Sequence, residues 1–534
     1  MLQTQHGEQF TAAERAKLAP YFTNTHEHIF ALTNLPETVK GALFARYSRS
    51  AKSLRRLFLD EFADTMPGGD AATSAGVGVE RAEKLYARVF SEYGDDSVAQ
   101  LGGVHLACEY ASNILTKVLE WGRLMAYLEQ STRYVPYTDR LDGRWRYHIP
   151  LEVQGALRDR YIEVMDQAFA LYAKWIAAMQ DHFARRYPKS PSDSDGVHRA
   201  AIRAKALDTL RGMLPAATQS NVGIYGTGQA YEALLLRMRV HPLSEVRECG
   251  DAMLRELRKV IPAFLTRVDL PDRGGRWSEY LSGTRADTAA LAESLLEHAD
   301  VEPREEVTLT GFDPDGEARV VAAALYAVSA VPDDRLIDIA ERMTAEERAV
   351  VLRTYVGDRT NRRHRPGRAF ERTSYRFDVL TDYGAFRDLQ RHRLLTLEWQ
   401  MLTTRHGYTE PDAIREAGAG DDWDRVMTAS AEIHDALRAA GLTDAAQYSV
   451  AMAYRVRFYM EMNAREAMHL LELRTAPQGH PAYRRVCQQM HTLIAERAGH
   501  KAIADAMKFV DHSTVELERL GSERLLQKKR SIGD

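Results

Sequence analysis

The stretch Gln390-Arg391-His392-Arg393, read together with the later Asn463-Ala464-Arg465, sets the fold that we predict for this chain. A short basic run is usually a solvated patch, so the first motif alone indicates little. The second motif opens an apolar run that ends at Arg474 and is typical of a buried helix. On such a helix Arg465 and His469 are neighbours. Buried polar side chains need partners. We therefore expect Asn463, Arg465, His469 and Arg474 to bind other groups.

The first half of the chain carries a different group of motifs. The hexapeptide Glu129-Gln130-Ser131-Thr132-Arg133-Tyr134 comes first. It is followed by Ile149-Pro150, Arg211, Leu214-Pro215 and a helical stretch ending at Arg239. Guanidinium groups suit a phosphate because they stay charged and offer paired donors. A carboxylate does not favour phosphate, so we expect Glu129 to accept from a hydroxyl or an N–H group, or to orient Arg133.

In their order, these motifs resemble those of the flavin-dependent thymidylate synthases, over roughly residues 20–270 and 310–500. The resemblance implies that FAD is bound by Arg391, His392, Arg393, Asn463, Arg465, His469 and His364. It implies that a uridine nucleotide is bound by Glu129, Ser131, Arg133, Arg211, Arg239 and Arg474. Arg474 is then the catalytic residue, which polarises the uracil carbonyls as a cation fixed in a water-poor site.

Each half lacks part of the family pattern. The first half reads Trp121-Gly122-Arg123 and Gly228-Gln229-Ala230 where the family has Arg-His-Arg and Asn-Ala-Arg. The second half has Gln447 in place of an Arg, and a longer loop around Met401–Arg405. We interpret the chain as a tandem duplication with an α/β (α+β) fold, in which long helices pack on a sheet in each domain. The predicted domains are 1–285 and 306–534, joined by a linker at 286–305.

The complementary losses predict one composite site per chain. It would join Glu129, Ser131, Arg133 and Arg211 to the second-half motifs, while the reciprocal site would be inactive. Because family members are homotetramers with sites between subunits, we expect two chains to form a homodimer that recreates the tetramer. Asp388 stands where the family often has a Gln, and it could repel phosphate or select another base or sugar. The substrate is therefore dUMP, UMP or a modified pyrimidine nucleotide.

Composition narrows the class of protein. A chain of 534 residues suits two or three domains. The net charge of −4 argues against non-specific nucleic-acid binding. Cys108, Cys249 and Cys487 lack metal-ligand spacing, which predicts no metal site and fits a reducing compartment. No signal-like N-terminus and no run of about 18 apolar residues is seen, so we expect a cytoplasmic protein without a membrane span.

The resemblance implies reductive methylation of the uracil ring at carbon 5, from dUMP to dTMP. Methylenetetrahydrofolate would supply the carbon, NADPH would reduce the FAD, and no protein Cys nucleophile would be needed. Two alternatives remain at this point. One is a flavin enzyme acting on another pyrimidine nucleotide in specialised metabolism. The other is a non-catalytic protein that binds a nucleotide or a flavin.

Overall fold

The computed structural model of the protein describes residues 9–26, 30–47, 50, 52–65, 100–133, 135–297 and 304–533. Tyr134 of the first motif and residues 298–303 of the predicted linker lie outside this set. The described helices span Ala12–Leu18, Glu37–Tyr47, Leu54–Glu61, Asn113–Leu119, Gly155–Arg186, Asp195–Leu210, Gly228–Arg239, Ser244–Leu257, Arg276–Leu296, Gly316–Tyr326, Asp333–Arg342, Ala345–Val356, Tyr383–Leu389, Asp412–Glu416, Gly420–Ala439, Thr443–Ala446, Ala464–Arg474, Pro481–Glu496, Lys501–Ala506 and Leu520–Gly533.

Nine strands form three sheets in the described part of the chain. They are β1 (Gly103–Ser112), β2 (Met125–Glu129), β3 (Arg140–Leu141), β4 (Arg144–Trp145), β5 (Gln219–Thr227), β6 (Val307–Phe312), β7 (Ser374–Asp382), β8 (Thr396–Trp399) and β9 (Arg455–Asn463). The sheet orders are β1-β5-β2, β3-β4 and β6-β7-β9-β8. Together with the long helices, these sheets confirm the predicted α+β class.

The chain packs as two compact units that draw on different segments. Unit 1 comprises Met1–Glu109, Gly122–Glu129 and Asn221–Ala299, and unit 2 comprises Tyr110–Trp121, Gln130–Ser220 and Asp300–Asp534. Unit 2 therefore combines segments of both sequence halves. The boundary at 286–305 stays a prediction about the sequence repeats. The helix Arg276–Leu296 occupies its first part, and none of that helix's residues is buried.

Unit 1 contains most of the β1-β5-β2 sheet. Strands β2 and β5 are antiparallel, with Met125 opposite Gly226 and Glu129 opposite Val222. The helix that follows β5 begins at Gly228, where the Thr227 side chain accepts a hydrogen bond from a backbone N–H of the first turn. A hydroxyl in this position satisfies a donor that the helix leaves unpaired.

The four-stranded sheet of unit 2 lies wholly in the second half of the sequence. Strand β7 runs antiparallel to β9, from Ser374 opposite Asn463 to Asp382 opposite Arg455. Side chains at alternate positions of β7 are fully buried, as they are at Tyr375 and Phe377. Alternate residues of a strand point to opposite faces, so one face of this sheet packs on the core.

Matching segments of the two sequence halves contact each other within unit 2. In the helix Gly155–Arg186, Trp175 donates its indole N–H to Asp422 of the helix Gly420–Ala439 at 2.9 Å. Further along, the Ala216 N–H donates to Val450 O at 2.8 Å, and the Met452 N–H donates to Leu214 O at 2.9 Å. The Leu-Pro motif therefore pairs with its counterpart in the second repeat.

The membrane prediction can be compared with the helices directly. Across the described ranges, none of the helices combines the length and the apolar character needed to cross a bilayer.

Candidate functional site

Three arginines surround the carboxylate of Asp388, at the end of the helix Tyr383–Leu389. The distances from Nη1 to the nearest carboxylate oxygen are 3.7 Å for Arg211, 3.9 Å for Arg391 and 3.8 Å for Arg474. Burial alone would raise the pKa of Asp388, but these guanidinium groups, with Arg133, lower it to about 2. Asp388 is therefore an anion that holds cations from both halves of the sequence around one point. We call the four arginines around it, Arg133, Arg211, Arg391 and Arg474, the arginine cluster.

Arg133 is fixed by a bidentate ion pair with Asp208. Its Nε and Nη2 donate to the two carboxylate oxygens at 2.8 and 2.7 Å. Its Nη1 donates to the hydroxyl of Tyr483 at 3.3 Å. Burial opposes the charge of Arg133, but Asp208 outweighs it and raises the pKa of the guanidinium. The neighbouring Ser131 hydroxyl accepts from the Arg133 N–H at 3.2 Å, so this serine shapes the turn that presents the arginine.

Arg474 ends the helix Ala464–Arg474 and meets the same tyrosine. Its guanidinium carbon lies 5.5 Å from the centroid of the Tyr483 ring, which is cation–π distance. Its Nε donates to Nε2 of His392 at 2.9 Å. Tyr483 thus contacts an arginine from each half of the sequence, one through its hydroxyl and one through its ring.

Arg211 has an unsatisfied donor. The residue is 4% exposed, and its Nη2 has no hydrogen-bond partner among the described residues. Gly384 makes room for it, because a Cβ at that position would lie 2.9 Å from Nη2. A buried donor without a partner is costly, so Arg211 is prepared to bind an acceptor.

The histidine of the Arg-His-Arg motif belongs to a second polar cluster. Nδ1 of His392 lies 3.2 Å from the Glu466 carboxylate, and the ring of His469 packs against it at 5.5 Å. Burial raises the pKa of Glu466 to about 7. Burial also lowers the pKa of His469 to about 4, and Arg365 adds to that effect.

These three side chains have the spacing to hold a metal ion, since their ligand atoms lie within 4.8 Å of one another. However, Arg474 donates to His392, and Arg365 donates to His469 at 3.0 Å. The lone pairs that a metal would need are engaged, and the nearby guanidinium groups repel a cation. We therefore assign this cluster to hydrogen bonding rather than to metal binding.

The predicted flavin residues occupy different kinds of position. Arg391 and Arg393 are exposed beside the two clusters. Asn463 caps its helix, and its Oδ1 accepts from the Glu466 N–H at 2.9 Å. Arg465 donates to Pro366 O at 3.0 Å. Their role in binding FAD stays a prediction.

His364 lies on the surface, and its ring contacts its own loop. Nδ2 of Asn361 lies 3.0 Å from its Nε2. The adjacent Arg365 is the residue that reaches His469. Arg365, Glu466, Asp208 and Tyr483 are functional candidates that the sequence did not indicate. The one available signal in the sequence was proximity to a motif. Glu466 directly follows the Asn-Ala-Arg motif, and Asp208 lies shortly before Arg211.

Two predicted nucleotide residues belong to unit 1. Glu129 ends β2 and is buried. Arg239 ends the helix Gly228–Arg239 and pairs with Asp251 at 2.8 Å. Their part in a nucleotide site stays a prediction.

Gln447 and Trp121, two of the positions at which the chain departs from the family pattern, make structural contacts in unit 2. Gln447 accepts from the Leu402 N–H at 3.1 Å, so it supports the lengthened loop. Trp121 donates its indole N–H to Leu397 O at 3.3 Å and packs edge-on against Trp399. These contacts hold backbone and apolar side chains, and they offer no cation for a phosphate.

A cavity of about 410 Å³ in unit 2 is lined in part by Arg211. Its wall includes Asp208, His480, Trp423 and Arg485, but neither Arg133 nor Arg474. The arginine cluster, and not this cavity, brings together the predicted nucleotide residues of unit 2.

Comparison with known proteins identifies the family. A family model described as thymidylate synthase complementing protein matches residues 42–263 and again residues 308–498. The chain belongs to this family. The two matches confirm that the family fold recurs in tandem, with the motifs of each half inside one match.

Relatives matched over most of this chain and a relative matched over 37% of it are both found. A "UPF0159 protein" of Chlamydia muridarum is 37% identical over 522 residues, which is 96% of this chain and 98% of the relative. A second, from Thermoplasma acidophilum, is 29% identical and is covered over 97% of its length. A flavin-dependent thymidylate synthase of Clostridium tetani is 26% identical over 200 residues, 37% of this chain and 74% of the relative.

Among solved structures, a UMP/dUMP methylase of Streptomyces cacaoi bound with 5-Br dUMP matches at 21% identity. The match covers 38% of this chain and 97% of that chain, with a TM-score of 0.29. A similarity at this level carries no argument about the site.

Proposed function

We propose that this protein catalyses flavin-dependent methylation of a uridine nucleotide at carbon 5, from dUMP to dTMP, at a composite site built by both halves of the chain. The observation that carries the proposal is the meeting of Arg133 and Arg474 at Tyr483. These arginines come from different repeats, as the complementary motif losses require. The relative from Clostridium tetani, named a flavin-dependent thymidylate synthase, supports the reaction class.

The charge of the cluster suits a nucleotide monophosphate. The guanidinium groups of Arg133, Arg211 and Arg474 face the two carboxylates of Asp208 and Asp388, so these five side chains together carry a net positive charge. A phosphate monoester carries about −1.5 to −2 charges at neutral pH. Nη1 of Arg211 lies beyond hydrogen-bond distance of Asp388, and Nη2 of Arg211 has no partner among the described residues, so these donors can turn to a phosphate.

Within this site Arg474 is the group assigned to the uracil ring. Its Nε is held by His392 and its face by Tyr483, so its orientation is fixed before a ligand arrives. A fixed cation stabilises the negative charge that develops on a uracil carbonyl as carbon 5 reacts. The ionised Asp388 beside it can only accept hydrogen bonds, and it would favour a ligand that offers an N–H or a hydroxyl there.

The second cluster fits FAD in its donor set. Arg365 and Arg393 are exposed, and both lie close enough to lower the pKa of His392. Exposed guanidinium groups suit the diphosphate of a dinucleotide. We assign Arg391, Arg393 and Arg365 to holding it, near the Asn463 end of the helix. When bound, the flavin would supply the redox chemistry.

The remaining parts of the proposal follow from the family. Methylenetetrahydrofolate would be the carbon donor and NADPH the reductant. Two chains would form a homodimer in the cytoplasm that recreates four copies of the fold. The acceptor character of Asp388 leaves dUMP and UMP as alternatives, since a ribose 2′-hydroxyl would also donate to a carboxylate.

Nucleotide titration of the FAD-loaded protein tests the composite site. We expect one dUMP per chain, and Arg133→Ala and Arg474→Ala should each weaken binding about tenfold or more, because each removes a charge-assisted contact. The double variant should lose less than the sum of the two losses. Arg186→Ala is the control, since that side chain is a surface arginine of unit 2 paired with Glu416. Two sites per chain, or strictly additive losses, would contradict the proposal.

Cofactor binding is tested separately by absorbance. The purified protein should carry FAD and bleach with NADPH. Arg391→Ala and Arg393→Ala should weaken FAD binding, whereas Arg123→Ala, at the matching position of the first half, should not. Activity assays with dUMP, UMP and dCMP in the presence of methylenetetrahydrofolate then identify the substrate. A protein that takes up no FAD would exclude the flavin reaction.

A further inference from the structure

One hydrogen-bonded chain links the two clusters. Arg474 Nε donates to His392 Nε2 at 2.9 Å, and His392 Nδ1 lies 3.2 Å from Oε1 of Glu466. A guanidinium group can only donate, so Nε2 of this histidine must accept. The ring proton is therefore on Nδ1, and it is donated to an oxygen of the Glu466 carboxyl group.

The surroundings keep the imidazole in that form. The side chain of His392 is 3% exposed and lies near the guanidinium groups of Arg474, Arg393 and Arg365. Burial lowers its pKa well below the ordinary value, and Arg474, His469, Arg393 and Arg365 lower it further. A neutral ring with its Nε2 lone pair aimed at Arg474 is the only form that satisfies both contacts.

This arrangement decides where the guanidinium group of Arg474 points. With Nε occupied by His392, its Nη1 lies 3.8 Å from Asp388 and its face lies against Tyr483. An arginine side chain otherwise samples many rotamers, and fixing them before binding removes an entropic penalty. His392 itself is buried, whereas the arginines that we assign to the flavin are exposed.

We propose that His392 is a positioning residue for Arg474, held in the Nδ1–H tautomer by Glu466, and that it is not a ligand of the cofactor. This inference rests on the proposed function, in which Arg474 acts on the uracil ring. It assigns a positioning role to Glu466, which the motifs do not contain. It also separates the Arg-His-Arg motif into two arginines that face the flavin and a histidine that serves the nucleotide.

Two matched pairs of variants test the role. His392→Phe keeps the ring volume and removes both nitrogens, and His392→Gln restores an acceptor near the place of Nε2. We expect His392→Phe to raise the Kd for dUMP about tenfold or more, with the Kd for FAD changed less than about twofold. His392→Gln should recover most of that loss. In the same way Glu466→Gln, which can still accept from Nδ1–H, should bind dUMP nearly normally, whereas Glu466→Leu should not.

Two outcomes would overturn the assignment. One is a loss of FAD affinity in His392→Phe that equals or exceeds the loss for dUMP. The other is a failure of His392→Gln and Glu466→Gln to differ from their apolar partners. Thermal unfolding of all four variants, measured beside the unmodified protein, identifies any that are simply misfolded, and each comparison then rests on the folded pair.

The tautomer is measurable without any ligand. In protein labelled with ¹⁵N-histidine, the His392 signals, assigned by their loss in His392→Gln, should show a protonated Nδ1 and an unprotonated Nε2. An Nε2–H tautomer or an imidazolium would contradict the proposed hydrogen bonds from Arg474 to His392 and from His392 to Glu466. The tautomer measurement does not depend on the proposed function. If the unmodified protein bound no uridine nucleotide, the proposed function would be wrong, and the tautomer of His392 would still show whether Glu466 and His392 hold Arg474.

Discussion

Asp388 compensates for the charge of the arginine cluster. Its carboxylate faces guanidinium groups from both sequence halves, and they keep its pKa at about 2, below the ordinary value of 3.8. A carboxyl group whose pKa is lower in the folded protein contributes stability above its unfolded pKa. That contribution is lost as the pH falls through the folded pKa.

Replacing this carboxylate should therefore destabilise the protein. For Asp388→Asn we expect a loss of roughly 2 kcal/mol in the free energy of unfolding at pH 7, since each unit of pKa shift corresponds to about 1.4 kcal/mol. The gap between the two proteins should narrow between pH 4 and pH 2. Urea unfolding followed at several pH values measures this. A gap that does not depend on pH would show that Asp388 acts by packing alone.

Glu466 should have the opposite dependence on pH. Its pKa is raised from 4.5 to about 7 by burial, so the folded protein binds more protons than the unfolded chain between these values. Stability should then fall as the pH rises from 4.5 to 7. Glu466→Gln removes this effect and keeps the acceptor for His392. The variant should gain stability relative to the unmodified protein across that window, by up to roughly 3 kcal/mol. Equal slopes for the two proteins would contradict the assignment.

At this scale, motif order was enough to indicate Arg133, Arg211 and Arg474, because each lies in a recognisable pattern. Asp208 and Tyr483 could not be found in this way. Each is a single residue whose importance comes from contact with a segment remote in sequence, as in the 3.3 Å contact from Arg133 to Tyr483. His392 lies in a recognisable motif, but the sequence could not reveal which neighbour each ring nitrogen would meet.

At the scale of elements, the helix Ala464–Arg474 joins the two clusters. Its first turn carries Glu466, its middle carries His469 and its last residue is Arg474. Strand β9 leads directly into it, and Asn463 both ends the strand and caps the helix. The position of Arg474 therefore depends on how this helix begins.

The two possible roles of Asn463 can be separated by substitution. Asn463→Ala should cost about 1 kcal/mol of stability, because it removes the side chain that accepts from the Glu466 N–H. Asn463→Asp should retain the cap, since aspartate is an equally good N-cap residue. If Asn463 also binds FAD, the aspartate variant should lose FAD affinity while its unfolding free energy stays normal. Flavin titration and urea unfolding of both variants decide this.

Local periodicity in the sequence corresponds to regular elements of the structure. The run Val307–Phe312 alternates in the way typical of a strand, and it forms β6. The alternating segment Thr373–Leu380 falls within β7 and the residue before it. The composite nature of unit 2 could be inferred only indirectly. No local pattern shows that Ala216 will pair with Val450, because a backbone hydrogen bond of this kind leaves no mark on residue type.

At the scale of the whole molecule, the sequence repeats and the packing units are different divisions of the chain. The family matches end at residue 263 and resume at 308, whereas unit 2 takes residues 110–121 and 130–220 from the first repeat. A cut between the two repeats therefore separates segments that pack together in unit 2, because unit 2 contains residues of both repeats.

Separate expression of the repeats should reveal this dependence. A fragment of residues 304–534 lacks the helix Gly155–Arg186, which packs on Gly420–Ala439 through Trp175. We expect this fragment to be largely insoluble or molten when made alone. Co-expression with residues 1–297 should give a stable complex that copurifies and binds one dUMP. A fragment 304–534 that unfolds cooperatively alone, at the temperature of the intact chain, would contradict the expectation.

The same interleaving affects how the protein is made on the ribosome. About 150 residues separate Ser220, the last first-half residue of unit 2, from Ser374, where β7 begins. At synthesis rates of roughly 5–20 residues per second, the early helices wait on the order of 10–30 s for their partners. During that interval the side of Gly155–Arg186 that packs on Gly420–Ala439 has no partner. The nascent chain should therefore be a client of ribosome-associated chaperones, and translation speed across residues 221–373 should affect the yield of folded protein.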